Sequence, residues 1–275
     1  MLTPDMLISE RNGSVATLRL NLPERLNPLG MDLQEALKRQ IATLRDDETL
    51  RALLITGTGG AFCVGADLDE LYDGLGSGHG ARLSQEMEEV SNRIIEGLQT
   101  LHVPVVCAVN GPCAGAGVGL ALAADVVLMA RSAYFYLPFM PRLGLVPDLG
   151  TTWFLSRMVG RSRALALCMM GDRVSAEQSA DWGLVWAAVE DADLQGTALA
   201  LAQRLGRMPP HAALELRRAF SEAAQNSLIE QMRYEAVRQR ELLDSPVFAE
   251  GVRAFKEKRS PVFHVQADGP CDEKR

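Results

Sequence analysis

Apolar and polar residues follow one another along the chain in short blocks that predict strands and helices in turn. Residues 14–20 alternate apolar with polar side chains, as expected for a half-buried strand, and residues 51–56 and 103–109 are apolar runs typical of buried strands. Apolar residues recur at helical spacing over residues 27–44 and 85–100. Repeated strand, turn and helix units of this kind predict an α/β fold with stacked parallel sheets.

Glycine-rich turns follow two of the predicted strands. The first lies within residues 57–71 and leads into a helix, and the glycines of residues 73–80 after it indicate a mobile stretch. The second covers residues 110–119, ahead of a predicted helix over residues 120–124 and a strand over residues 125–130. Both turns place backbone N–H groups at the ends of strands, where we expect them to lie near one another.

The chain becomes mainly helical from Asp148 onward. Ser175 is a good N-cap for one helix, and four helical stretches are predicted between Asp193 and Lys258. Apolar residues at helical spacing in this region are typical of packing or subunit-contact surfaces. The polar sequence of residues 264–275 predicts a disordered tail.

Composition and charge narrow the class of protein. The 275 residues are 47% hydrophobic and 23% charged, which is ordinary for a soluble enzyme with one core and an appended helical part. A net charge of -7 and a pI of about 5.2 argue against binding to nucleic acid or to an anionic membrane. The chain shows no secretory signal pattern and no charge-free run approaching about 20 residues, so we expect a cytoplasmic protein.

Cysteine and histidine spacing favours neither a disulfide framework nor a metal site. The five cysteines are odd in number and scattered without CxxC spacing, so we expect free thiols in a reducing compartment. None of the four histidines has a partner at HxxxH or HExxH spacing. We therefore expect no bound metal.

The two glycine turns are candidate anion sites. The first presents the Ala66 N–H at the start of a predicted helix that opens with Asp67, and the second presents the Ala116 N–H near another helix start. The two donors could converge on one oxygen. The alternative is that the glycines serve only turns that need a positive φ. The second turn does not fit the GxGxxG dinucleotide fingerprint.

Three segments resemble the core motifs of the enoyl-CoA hydratase/isomerase, or crotonase, superfamily. They are AFCVGADLDEL (residues 61–71), PVVCAVNGPCAGAGVGLALAADVVLMA (residues 104–130) and LGLVPDLGTTWFLSRMVGRSRALAL (residues 143–167). Their order and spacing also match. With LNPLGMDLQEAL, SAEQSADWGLV and EGVRAFKEKRSPVF, the resemblance covers about residues 10–263.

This resemblance implies an α/β crotonase (ClpP-like) fold, a spiral of ββα units with a C-terminal helical trimerisation region. It implies residues 1–195 as the spiral core with the acyl-CoA site, residues 196–263 as the helical oligomerisation region and residues 264–275 as the tail. The implied partners are an acyl-CoA thioester substrate and further copies of the chain, in a homotrimer or a dimer of trimers. No cofactor is implied, because CoA is part of the substrate, and neither nucleic acid nor a membrane is implied.

The family's functional positions carry over to this chain one by one. The resemblance implies that the N–H groups of Ala66 and Ala116 bind the thioester oxygen and that Asp148 is the acid–base carboxylate. For Arg25 and Lys258 a solvated surface charge is an equally good interpretation. The implied substrate-binding residues, with Phe255 and Lys258 coming from the neighbouring subunit, are Arg25, Leu26, Asn27, Cys63, Gly65, Asp67, Leu68, Gly115, Phe139, Met140, Phe255 and Lys258.

The carboxylates favour isomerisation over hydration. In the family's hydratases two glutamates position a water, and these positions fall here on Gly119 and on Phe139 or Met140. Asp148 remains, in a stretch that resembles the one where family isomerases carry a single acid–base carboxylate. Such a group moves a proton from C2 to C4 of a 3-enoyl thioester while an oxyanion hole holds the enolate. The alternative role for Asp148 is a helix N-cap.

The sequence leaves other interpretations of the function open. The segments also resemble family members that isomerise the ring epoxide of phenylacetyl-CoA to its oxepin, with Tyr134 and Tyr136 as further candidates to line an acyl pocket. In aryl-CoA dehalogenases of this fold a similarly placed aspartate is a nucleophile, which needs a partner base such as His79 or His102. The chain could instead be a hydratase-like member, or a homologue that binds acyl-CoA, RNA or a protein without turnover.

Overall fold

Most apolar runs of the sequence form strands in the structure, a computed structural model that describes residues 6–263. The strands are β1 (Leu7–Asn12), β2 (Val15–Leu20), β3 (Ala52–Gly57), β4 (Val105–Val109), β5 (Cys113–Ala114), β6 (Val126–Ala130), β7 (Tyr134–Tyr136), β8 (Arg173–Ser175) and β9 (Ala187–Val189). Six of them form a sheet in the order β1-β2-β3-β4-β6-β9, and β5-β7-β8 form a second, smaller sheet. In the larger sheet β1 runs antiparallel to β2 and the other neighbours are parallel, as the repeated units predict.

Helices connect the strands and cover the larger sheet. They are α1 (Met31–Arg45), α2 (Leu68–Asp73), α3 (His79–Glu86), α4 (Asn92–Thr100), α5 (Ala116–Leu122), α6 (Thr151–Met158), α7 (Gly160–Met170), α8 (Ala176–Asp181) and α9 (Leu194–Leu205). Helix α9 packs against β3, β4 and β6. All side chains of β3 and β4 are buried, as expected for parallel strands inside a covered sheet.

The chain divides into two units between Gly206 and Arg207. The sequence-based boundary between residues 195 and 196 falls inside α9, which belongs to the first unit. The second unit contains α10 (Ala212–Ala223), α11 (Leu228–Leu243) and α12 (Pro246–Glu257). Together with α9 of the first unit, they confirm the four helical stretches predicted between Asp193 and Lys258. The expected tail over residues 264–275 lies outside the described residues. Among residues 6–263 the structure has no helix that is both long and apolar enough to cross a membrane.

Several element boundaries differ from the sequence-based ones. Strand β2 is almost wholly buried instead of half-buried, because it lies inside the sheet and even Thr17 is covered. Helix α1 begins at Met31, four residues after Asn27, and α5 begins at Ala116, inside the predicted turn. Strand β1 was not predicted, because its side chains are mostly exposed and form no apolar run. Ser175 is confirmed as an N-cap, accepting a hydrogen bond from the Gln178 N–H.

Candidate active site

The first glycine turn directs the Ala66 N–H away from Leu29, which pairs with this turn. The Leu29 N–H donates to the Gly65 carbonyl at 2.7 Å. Since a trans peptide points its C=O and its N–H in opposite directions, the Ala66 N–H faces away from Leu29. Ala66 accordingly donates no backbone hydrogen bond within residues 6–263. Asp67 follows as the N-cap of α2, accepting from the Asp69 N–H.

The second glycine turn leaves a matching donor at the start of α5. Ala116 is the first residue of this helix, where N–H groups have no intrahelical acceptor, and it too donates to no backbone carbonyl in the described part of the chain. The preceding residue is held in place because the Gly115 N–H donates to the Tyr136 carbonyl at 2.9 Å.

The two turns lie against each other. The Ala114 N–H donates to the Cys63 carbonyl at 2.9 Å, which joins the strands that lead into the turns. Gly65 has φ +90°, and a Cβ placed on it would come 2.8 Å from the Ala114 oxygen and 3.2 Å from the Ala116 nitrogen. Only glycine satisfies both conditions. The absence of a side chain at residue 65 therefore keeps open the space beside the Ala116 nitrogen.

Asp148 lies in a turn of unusual backbone conformation just before α6. The next two residues, Leu149 and Gly150, have φ +47° and +72°. Gly150 is the N-cap of α6, and no side chain caps this helix, so the alternative role of Asp148 as an N-cap is wrong. Asp148 Oδ1 and Thr151 Oγ1 are both buried and have no hydrogen-bond partner among residues 6–263.

Helix α5 connects the Asp148 turn to the N–H of Ala116. A Cβ placed on Gly119 would lie 2.7 Å from the Leu149 carbonyl oxygen and 2.7 Å from Thr151 Oγ1. Gly119 stands three residues after Ala116, a rise of about 4.5 Å along a helix. The turn that carries Asp148 thus occupies the place into which a glutamate at residue 119 would project.

Burial raises the pKa of Asp148 to about 6, only partly opposed by a hydrogen bond from its own backbone N–H. A carboxyl group with a pKa this close to neutral can both take and return a proton at physiological pH. Two N–H groups on adjoining turns that have no backbone acceptor among residues 6–263, and a carboxyl group on a turn that packs against α5, are the kinds of group that can stabilise an enolate and move its proton.

Three of the other predicted substrate-binding residues, Arg25, Asn27 and Cys63, contact other parts of the same chain or are buried. The Arg25 guanidinium pairs with the carboxylates of Asp67 and Asp69, each at 2.9 Å. The side chain of Asn27 is fully buried, and its hydrogen bonds within residues 6–263 are to backbone groups. Cys63 is a buried thiol, and burial raises its pKa to about 12. Asn27 and Cys63 therefore support the turns instead of offering side chains to a ligand.

Most of the remaining predicted substrate-binding residues are exposed to solvent. Leu26, Leu68 and Met140 are exposed, while Phe139 is buried with its ring facing Gly115. A Cβ on Gly115 would lie 3.8 Å from Phe139 Cζ, which places this ring beside the second turn. Phe255 is exposed on α12 of the second unit, and Lys258 is the left-handed residue that ends this helix.

A cleft of about 210 Å³ borders Ala66 and contains charged residues that the sequence did not indicate. Glu70 accepts a hydrogen bond from the Met31 N–H, and Arg82 donates to the Gly74 carbonyl. The Glu70 contact joins residues 39 positions apart in sequence, so no local pattern reveals it. The cleft is lined by Leu29, Met31, Gln34, Ala66, Asp67, Glu70, Leu71, Gly74, His79, Arg82, Leu83 and Glu86.

The two histidines considered as partner bases lie in different places. His79 lines the cleft beside Ala66. Burial lowers the pKa of His102, and its charged neighbours are Arg51 and Asp47. Neither histidine contributes to the pKa of Asp148. In the part of the chain that the structure describes, no group of three or more His, Cys, Asp or Glu side chains is arranged to hold a metal ion.

Comparison with known proteins identifies the family of the chain. Residues 10–266 match the enoyl-CoA hydratase/isomerase family. The 1,2-epoxyphenylacetyl-CoA isomerase of Escherichia coli (strain K12) is 41% identical, over 94% of this chain and 98% of the relative. The trans-2-decenoyl-(acyl-carrier-protein) isomerase of Streptococcus mutans is 33% identical, over 94% of this chain and 97% of the relative.

A solved structure shows the same fold. The enoyl-CoA hydratase from Polaromonas sp. JS666 superimposes with a TM-score of 0.87 at 32% identity, covering 93% of this chain and 98% of that one. The crotonase fold expected from the three motifs is confirmed. On the family match and these likenesses, the chain belongs to the enoyl-CoA hydratase/isomerase family.

Proposed function

We propose that the protein is an acyl-CoA isomerase that uses one carboxylate. Its substrate is a 3-enoyl-CoA, which it converts to the 2-enoyl-CoA, or the ring epoxide of phenylacetyl-CoA, which it converts to the oxepin. The observation that carries the proposal is the contact of Gly119 with the Asp148 turn, because it removes the place of one hydratase glutamate and supplies instead a carboxylate with one buried oxygen. The names of the two isomerase relatives support the same choice.

In the proposed reaction Asp148 transfers the proton, and the two N–H groups stabilise the enolate. Asp148 takes a proton from C2 of the 3-enoyl thioester, and the electrons of that C–H bond delocalise onto the thioester oxygen. The N–H groups of Ala66 and Ala116 stabilise this enolate oxygen, where one donor is typically worth about 10²–10³ in rate. Asp148 then returns the proton at C4, which moves the double bond to C2–C3 and regenerates the carboxylate. No water and no cofactor enters the balance.

A panel of thioesters tests the proposal. The protein is incubated separately with 3-enoyl-CoA, 2-enoyl-CoA and arylacetyl-CoA thioesters, including the ring epoxide, and the products are identified by mass and ultraviolet absorbance. We expect a product of unchanged mass from the 3-enoyl or the epoxide substrate, and only weak addition of water to the 2-enoyl one. Hydration as fast as isomerisation would contradict the proposal.

The pH dependence of kcat/KM is expected to follow Asp148. Because burial raises the pKa of Asp148 to about 6, the carboxyl is protonated below this pH and cannot accept the C2 proton. The rate with 3-enoyl-CoA should therefore rise as the pH increases through about 6 and level off above 7. A flat profile between pH 5 and 7.5, with the protein folded throughout, would be inconsistent with Asp148 as the base.

We also propose that the chain assembles as a trimer or as a dimer of trimers. The helices of the second unit expose large apolar side chains, and such surfaces are typical of protein contacts. Light scattering is expected to give about three or six times 29.9 kDa, and an active monomer would contradict this. The exposed residues are Leu216, Phe220, Leu228, Ile229, Met232 and Phe255.

A further inference from the structure

Arg25 is held by the carboxylates of Asp67, the residue after Ala66, and of Asp69. Its two terminal nitrogens each lie 2.9 Å from an oxygen of Asp67, and Nη2 also lies 2.9 Å from Asp69 Oδ2. The Asp67 side chain is only 5% exposed, whereas that of Arg25 is half exposed. A bidentate guanidinium–carboxylate pair fixes both distance and orientation, so it limits the movement of the residue that carries it.

Residues 25–29 also hold the peptide bond that precedes Ala66. The Leu29 N–H donates to the Gly65 carbonyl, so the peptide plane that ends in the Ala66 N–H is attached to residue 29, and the following residue, Asp67, is attached to residue 25. Ala66 thus stands between two attachments to residues 25–29. Both attachments act on the orientation of its N–H.

Residues 25–29 are themselves held in one conformation. Leu26 and Asn27 have φ +61° and +57°, which non-glycine residues adopt rarely. The buried Asn27 side chain holds them there, because its Nδ2 donates to the carbonyls of Thr58 at 3.0 Å and Ala61 at 2.9 Å. The segment is therefore a fixed support against which the Ala66 turn is held.

We propose that Arg25 is a positioning residue for the oxyanion donor at Ala66, acting through its ion pair with Asp67. This inference rests on the proposed function, in which the Ala66 N–H binds the enolate oxygen. It differs from the role that the family resemblance implies, a contact of Arg25 with CoA, because two carboxylates already offset the charge of the guanidinium. A positioning residue affects the transition state, whereas a CoA contact affects substrate binding.

Two substitutions separate these roles. Arg25→Met keeps much of the side chain's length but removes the guanidinium, and Asp67→Asn keeps an N-cap for α2 but removes the charge. With 3-enoyl-CoA we expect each variant to lower kcat roughly 10-fold or more, with KM within about 2-fold, as a misplaced donor would. If Arg25 instead binds CoA, Arg25→Met raises KM, while Asp67→Asn, which keeps the pairing of Arg25 with Asp69, leaves kcat unchanged. That pattern would overturn the proposal.

Arg131 offers a matched control. Its guanidinium also pairs with two carboxylates, those of Glu177 and Glu190, but it lies between β6 and β7. Arg131→Met is therefore expected to leave kcat and KM unchanged. A loss of activity equal to that of Arg25→Met would show that any surface ion pair has this effect, and it would overturn the assignment of Arg25.

Hydrogen exchange supplies a readout that does not depend on turnover. Peptides covering residues 64–72 are expected to exchange backbone amides faster in Arg25→Met and Asp67→Asn than in the wild type and in Arg131→Met. Equal exchange in all four proteins would overturn the inference even if kcat fell. If the wild-type protein isomerised none of the thioesters, the proposed function would fail, and the exchange result would still decide whether Arg25 holds the Ala66 turn.

Discussion

Replacing Asp148 by asparagine is expected to lower turnover at least about 100-fold while raising the stability of the protein at pH 8. The amide cannot take the C2 proton, which removes the base from the reaction. The proposed oxyanion donors are backbone groups of Ala66 and Ala116 that the substitution leaves in place, so the affinity for the thioester should change little. Steady-state kinetics with 3-enoyl-CoA measures both quantities.

The gain in stability follows from the raised pKa. A carboxyl group whose pKa is higher in the folded state than in the unfolded one stabilises the fold at low pH, and this contribution is lost as the pH rises through the folded value. For Asp148 that value is about 6 against an ordinary 3.8, equivalent to about 3 kcal/mol at most. At pH 8 the folded protein holds a charge with one unpaired, buried oxygen. Asp148→Asn removes this charge, and we expect a gain of about 1–3 kcal/mol.

Chemical denaturation at pH 8 and at pH 4, at one protein concentration, tests the sign. The difference between Asp148→Asn and the wild type should be large at pH 8 and small at pH 4, where both side chains are neutral. Asp191→Asn is a useful control, because hydrogen bonds from Ser132 lower the pKa of this exposed aspartate. It should leave turnover unchanged and should not raise stability. Near-wild-type isomerisation by Asp148→Asn would remove Asp148 from the mechanism.

Gly119→Ala is expected to lower turnover roughly 10- to 100-fold, because it displaces the turn that carries Asp148. The new Cβ would meet the Leu149 carbonyl oxygen at 2.7 Å and the Leu149 Cβ at 2.9 Å, so part of the backbone has to move. Overpacking of this kind costs about 1–3 kcal/mol, partly offset by up to about 1 kcal/mol from the better helix propensity of alanine. The loss of kcat should therefore exceed what the change in stability explains.

Gly196→Ala is the matched control for this variant. Gly196 also lies inside a helix, α9, but nothing stands within 4 Å of its added Cβ. It should keep wild-type turnover and gain up to about 1 kcal/mol of stability.

Gly119→Glu is expected to lose isomerase activity without gaining hydratase activity, since the Asp148 turn blocks the side chain. Wild-type rates in Gly119→Ala would show that the turn does not depend on this contact.

Local sequence patterns predicted much of the fold correctly. The apolar runs around β3, β4 and β6 fall at the observed strands, and the C-terminal helices and the Ser175 cap are where the pattern indicates. Such signals depend on residues that are close together in sequence. Strand β1 was missed for the same reason, because its pairing with β2 holds it in place while its side chains stay mostly exposed.

The sequence by itself determined the family, the α/β class, the two glycine turns and Asp148 as the candidate acid–base residue, because each depends on short motifs in a fixed order. Only the tertiary structure decided what these residues contact. Arg25 and Asp67 stand 42 residues apart and meet as an ion pair, and Gly119 leaves room for a turn that begins 29 positions later. Asp148 is not a helix cap, because two left-handed residues separate it from α6, and one of its carboxylate oxygens is buried without a partner among the described residues. Burial and close packing arise from distant segments, so they set the acid–base properties of the site only once the chain has folded.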